Sequence, residues 1–119
     1  MLTAACHCGA VRVRVPRAPE TLTNCNCSVC RRYGALWAYY APDEVLVEAP
    51  GGASQAYAWG DRMLRFMRCA HCGVVTHWEP VARDATTKMG VNMRLFEPAD
   101  LGDVRIRRLD GAETWEYLD

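Results

Sequence analysis

Cys69-Ala70-His71-Cys72-Gly73, followed by Val74-Val75-Thr76-His77-Trp78, is the stretch on which the fold turns. A Cys-x-x-Cys turn sets two sulfurs on one tetrahedral face of a metal. Glycine after the second cysteine permits the positive φ that lets backbone N–H groups approach those sulfurs. The β-prone run behind the turn, and Leu64-Arg65-Phe66-Met67-Arg68 ahead of it, read as two strands flanking a metal knuckle. One knuckle supplies two ligands, whereas a closed structural zinc site needs four, so a second pair has to come from elsewhere in the chain.

Seven cysteines are present, and the other five fall into two groups: Cys6-His7-Cys8-Gly9, and Cys25-Asn26-Cys27-Ser28-Val29-Cys30. The first is an isolated pair ending in glycine; the second offers three thiols close enough together to hold a metal without help. The arithmetic favours four plus three. Cys6, Cys8, Cys69 and Cys72 make a closed tetrathiolate tying the N-terminus to the middle of the chain, a staple of the kind that small cores need. Cys25, Cys27 and Cys30 make a three-thiolate zinc site with a position left for an exchangeable ligand, which is the arrangement of catalytic rather than structural zinc. Two other readings of the second group stay open at this level. A histidine (His7, His71 or His77) completes it as an inert staple, or Cys27 and Cys30 act as a redox dithiol.

Working outward, Val11, Val13 and Val15 alternate with Arg12 and Arg14, the period-two pattern of a half-buried strand closed by Pro16. Further strands are expected over 36–40, 45–47 and 55–59, read together as an antiparallel meander, and over 88–92, 104–109 and 114–117. Asp110-Gly111 is a hairpin turn signal between the last two. Helical turns fit only at 28–33 and 98–101. No repeat or linker divides the chain, so one zinc-binding domain over 1–119 is expected.

Composition narrows the function classes. Fourteen basic residues balance fourteen acidic ones, leaving no global field to collect a phosphate backbone, so nucleic acid is not an expected partner. No apolar run approaches a membrane span, and the first residues lack a secretory pattern; no membrane association and a cytoplasmic location are expected. In a reducing compartment, clustered cysteines act as thiolate ligands rather than disulfides.

The order of motifs, C-x-C-G before a strand, C-x-C-x-x-C-R-R at Cys25 to Arg32, then C-x-x-C-G, with a tryptophan near the C-terminus, resembles the glutathione-dependent formaldehyde-activating family, which includes centromere protein V. The resemblance runs from Cys6 to about Trp115. It implies a mainly β fold of several coiled antiparallel sheets around structural zinc, similar to that of methionine-R-sulfoxide reductases and the small Rab-binding zinc proteins. By position, Cys6, Cys8, Cys69 and Cys72 match the family's structural zinc ligands, and Cys25, Cys27 and Cys30 match its second, catalytic zinc motif.

The activity so implied is carbon–sulfur lyase chemistry, with glutathione and formaldehyde joined to S-hydroxymethylglutathione or released from it. The thiol would occupy the open zinc position as a thiolate and attack the aldehyde carbon, while Arg31 and Arg32 would bind the tripeptide's carboxylates. The rivals are a non-catalytic zinc-binding, glutathione-carrying or protein-interaction module, and a methionine sulfoxide reductase. The last needs a nucleophilic cysteine outside the metal motifs, and there is none.

Overall fold

The computed structural model describes all 119 residues. Ten strands run in chain order: β1 (Leu2–Ala5), β2 (Arg12–Val15), β3 (Thr21–Cys25), β4 (Trp37–Tyr40), β5 (Leu46–Glu48), β6 (Ser54–Tyr57), β7 (Leu64–Cys69), β8 (Val75–Pro80), β9 (Met89–Asn92) and β10 (Arg105–Leu109). Two one-turn helices, α1 (Cys30–Tyr33) and α2 (Pro98–Leu101), fall where helical turns were expected. The strands form a three-stranded sheet, β1-β2-β5, and a seven-stranded sheet, β10-β3-β4-β9-β8-β7-β6. The molecule is thus mainly β, but the meander expected over 36–40, 45–47 and 55–59 does not form: β4 pairs with β3 and β9, β5 joins β2 in the small sheet, and the consecutive antiparallel run is β6 to β9 instead.

Period-two alternation explains how the larger sheet serves two interiors. On β4, Ala38 and Tyr40 join Val13, Val15, Leu22, Met89 and Val91 in a core enclosed between the two sheets. Their neighbours Trp37 and Tyr39 point to the opposite face and line a cavity there. A one-residue register slip would exchange the two sets, so burial on both sides pins the strand. The Val11, Val13, Val15 pattern is realised in full, with each valine completely buried.

The C-terminal part differs from expectation. Arg105–Leu109 pairs with β3 in parallel, the one parallel ladder in the larger sheet, rather than entering a regular hairpin. The chain does return after Asp110-Gly111: the N–H of Asp110 donates to the carbonyl of Glu116 at 2.9 Å and that of Leu118 to Arg108 at 2.8 Å. Trp115, however, adopts φ 60°, a left-handed conformation that interrupts any extended run, so only a Leu109–Tyr117 bridge forms. Strands β1 and β3 had no sequence signal of their own. Leu2-Thr3-Ala4-Ala5 and Thr21-Leu22-Thr23-Asn24-Cys25 hold no valine, isoleucine or aromatic residue; β1 is held by the neighbouring β2 and β3 by the remote β10.

Candidate metal centres

The first cluster is assembled by two knuckles built alike. In one, the N–H of Cys6 donates to Val11 O at 2.9 Å and that of Gly9 to Cys6 O at 3.1 Å; in the other, Cys69 donates to Val74 O and Gly73 to Cys69 O, both at 3.0 Å. Gly9 and Gly73 stand at φ 85° and 79°, the left-handed turn that a Cβ would strain. Each knuckle also turns N–H groups onto sulfur: Val11 N to Cys6 Sγ at 3.3 Å, and His71 N and Cys72 N to Cys69 Sγ, both at 3.4 Å. These donors favour the thiolate, and Cys69 and Cys72 are accordingly held below the ordinary thiol range. For Cys69 the main cause is the N–H of Cys72; Cys72 is lowered to about 6, led by the N–H of Val74.

The sulfurs of Cys6, Cys8, Cys69 and Cys72 all lie within 4.8 Å of one another. Cys6 to Cys8 is 3.7 Å and Cys8 to Cys69 is 3.6 Å. Four sulfurs placed tetrahedrally at the roughly 2.3 Å typical of zinc–thiolate bonds would stand about 3.8 Å apart. The set is therefore spaced to receive an ion, and its residues come from two segments far apart in the chain, the turn before β2 and the end of β7 with the turn that follows it.

The second cluster sits where β3 runs into α1. Cys25 ends the strand, Cys27 lies in the turn, and Cys30 opens the helix; all three are buried, with sulfurs within 4.8 Å of one another. The N–H of Cys30 donates to Cys27 Sγ at 3.4 Å, and the indole Nε1–H of Trp37, itself 1% exposed, donates to Cys30 Sγ at 3.3 Å. Cys25 is lowered to about 6, first by the thiol of Cys30 and then by N–H groups of Cys27 and Gly111, against the opposing effect of burial; the same thiol contact pushes Cys30 up. One negative charge is thus already favoured in the group. All seven thiols are free.

No histidine nitrogen joins the three sulfurs. His7 and His71 are exposed, and His77 is 2% exposed with Nδ1 2.9 Å from Thr76 Oγ1 and Nε2 3.6 Å from Glu79. The reading in which a histidine completes the second cluster finds no support in this geometry.

A cavity of about 330 Å³ opens directly over Cys25, Cys27 and Cys30. Two of its walls were invisible in the sequence. Asn26 donates from Nδ2 to Asp110 Oδ1 at 3.1 Å and accepts from the N–H of Ala112 at 2.9 Å. That strap draws residues 110–115 across the cysteines and brings Gly111 and Trp115 to the cavity. A Cβ on Gly111 would lie 2.5 Å from Cys25 Sγ, so only glycine lets the loop pass this close. The remaining wall comes from the sheet. Trp78 and Phe66 pair across β8 and β7, and a Cβ on Gly90 would lie 2.1 Å from the Trp78 indole; the missing side chain is the space the ring occupies. The tryptophans divide: Trp37 is buried, while Trp59 is 43% exposed at the rim.

Arg31 and Arg32 are both exposed on α1 and neither lines this cavity. Arg32 instead lines an adjoining groove that shares Val29 and Trp59 with it, one guanidinium nitrogen donating to Ser28 O at 2.8 Å. Asn92, Met93 and Arg94 are structural. Asn92 bridges Val75 O and the N–H groups of Leu36 and Arg94, Met93 is core, and Arg94 Nε donates to Gly34 O at 2.7 Å behind α1. No helix is long and apolar enough to cross a membrane.

Set against known proteins, residues 1–105 match the family model described as glutathione-dependent formaldehyde-activating enzyme. A crystal structure of a Rhodobacter sphaeroides protein is similar at 31% identity and a TM-score of 0.71, covering 88% of this chain and 99% of that one. No curated protein matches significantly. Three cysteine motifs in one order, two sulfur clusters built from them, and a family match over residues 1–105 agree: the chain belongs to the glutathione-dependent formaldehyde-activating enzyme family.

Proposed function

We propose that the protein is a zinc-dependent carbon–sulfur lyase-like enzyme of the S-hydroxymethylglutathione synthase type, acting on thiol–aldehyde adducts at Cys25, Cys27 and Cys30. Family membership supplies the formaldehyde-activating, glutathione-related frame. The observation that carries the reading is the contrast between two clusters: four sulfurs closed on themselves, and three buried sulfurs at the floor of a cavity. Cys6, Cys8, Cys69 and Cys72 then hold a structural zinc, and Cys25, Cys27 and Cys30 hold the reactive one. All-thiolate donor sets suit zinc among the available divalent metals.

Zinc bound by the three cysteines supplies Lewis acidity that favours the thiolate of an incoming thiol near neutral pH. In the condensation direction the S–H bond is lost, a bond forms between sulfur and the aldehyde carbon, and the proton ends on the former carbonyl oxygen. The chain's residues support this in three ways. The Trp37 indole and the N–H groups of Cys30 and Gly111 draw charge from the ligand sulfurs, which offsets the weak electrophilicity of an all-thiolate centre. The aromatic walls exclude water and strengthen electrostatic interactions inside. Arg32, in the adjoining groove, is positioned to take a carboxylate of the thiol carrier, and Arg31 beside it adds positive charge.

One observation favours a second reading, a non-catalytic carrier of glutathione or its adduct. No histidine, lysine or glutamate lines the cavity, and its single charged residue, Asp61, is an exposed loop carboxylate with Oδ1 accepting from the N–H of Met63 at 3.0 Å, so proton transfer would fall to that one exposed group. Condensation of glutathione and formaldehyde, followed directly by the appearance of the hydroxymethyl carbon, separates the two. The enzyme reading expects Cys27→Ser to reduce the catalysed rate to the spontaneous background; a variant that retains the original rate refutes it.

A further inference from the structure

The cavity is far larger than a one-carbon aldehyde needs, and its surplus has a definite chemistry. All four tryptophans of the chain, Trp37, Trp59, Trp78 and Trp115, line it. Tyr39 and Phe66 add to the same wall, with Tyr39 and Trp78 ring centroids 6.0 Å apart and Trp37 and Phe66 6.3 Å apart. No arginine or lysine lines it. Arg32 faces the separate groove that meets the cavity at Val29 and Trp59, and Arg62 is exposed on the rim loop between Asp61 and Met63. Polarity is therefore partitioned: sulfur at the floor, an aromatic box above it, and a cation outside.

Two backbone features show that the box is shaped rather than incidental. The two non-glycine residues with left-handed backbone, Arg62 at φ 58° and Trp115 at φ 60°, lie on the two loops that rim it, and such conformations persist only where surroundings enforce them. Leu109, Gly111 and Trp115 complete the box from the C-terminal loop.

From this partition we infer that the site takes adducts of aryl or similarly sized apolar aldehydes in preference to those of formaldehyde, with the apolar group in the tryptophan box and the carrier thiol's carboxylate on Arg32. The inference deepens the proposed function and rests on its placement of the thiol at the three cysteines. Formaldehyde offers the box almost no apolar surface, whereas an aryl ring buried against it gains from both transfer out of water and aromatic contact.

The test uses the zinc-loaded protein and two unreactive thioethers, S-benzylglutathione and S-methylglutathione, which carry the same tripeptide and differ only in the group on sulfur. Calorimetric titration, checked by quenching of tryptophan emission, is expected to give the benzyl compound at least a ten-fold lower Kd. Trp115→Ala removes a side chain that is 69% exposed, so the fold tolerates it, and the preference is expected to shrink several-fold while the methyl compound's Kd stays within two-fold. Equal affinities in the unmodified protein, or a benzyl preference untouched by Trp115→Ala, overturn the inference. Because thioethers need no turnover, a benzyl preference without any condensation activity sustains the box and defeats the enzyme reading. Formaldehyde condensation with equal affinities does the reverse.

Discussion

Beside the sulfur cluster, one atom decides what Trp37 does. Trp37 is fully enclosed and spends its one polar group on Cys30 Sγ, where a donor to a ligand sulfur fixes the ligand and tunes the metal. Trp37→Phe keeps the ring's bulk and removes that donor. It is expected to weaken metal binding at the three-cysteine site by about ten- to a hundred-fold in chelator competition, with the four-cysteine site unchanged as an internal control. His77 shows the same dependence on one side chain's surroundings. Burial disfavours its imidazolium and lowers its pKa, with Glu79 pulling the other way. Between the folded and unfolded pKa values the unfolded chain binds more protons, so stability is full above the unfolded value of about 6.5 and declines as pH falls through the folded one. Denaturant unfolding at pH 7.5 and 5.5 is expected to show a smaller acid loss in His77→Gln than in the unmodified protein; an equal loss in both would assign the sensitivity elsewhere.

At the scale of elements, β4 presents one face to the core and the other to the cavity, while its neighbours divide the task, β9 giving Met89 and Val91 to the core and β8 giving Trp78 to the cavity, so the sheet's stability and the site's shape are the same question. Gly90 on β9 illustrates it. The Trp78 indole from β8 lies where a Cβ would be, pressed between two strands that pair at Trp78 and Gly90. Gly90→Ala must displace that ring or spread the strands, and overpacking of this kind costs about 1–3 kcal/mol. A reduced free energy of unfolding, together with a shifted tryptophan emission maximum, is the expected outcome; unchanged values for both would mean that the ring moves freely. The cysteine motifs were legible in the sequence because a knuckle is local: spacing and a following glycine determine it within five residues. Strand β3 was not, because Thr21 to Cys25 owes its extension to β10, eighty-four residues later at the Cys25–Leu109 pairing, and no local propensity records a partner that distant.

For the whole molecule, the four-cysteine set joins the turn before β2 to the β7–β8 hairpin and so locks the small sheet against the large one. The unfolded chain cannot hold four sulfurs a metal's width apart, which makes metal affinity part of the folding free energy. Cys72→Ala, or exhaustive chelation, is expected to abolish the cooperative thermal transition, whereas loss of metal from the three-cysteine site alone is expected to leave it largely intact; a Cys72→Ala protein that melts cooperatively would refute the staple. The sequence by itself determined the β character, the partition of seven cysteines into four and three, and the family, because each rests on residue types at short spacing. The tertiary structure alone decided that four tryptophans from four separate segments enclose one cavity, that Gly111 passes against Cys25, and that Arg32 faces the adjoining groove. Those facts depend on which faces of which strands meet, and that is fixed by pairings between residues far apart in the chain.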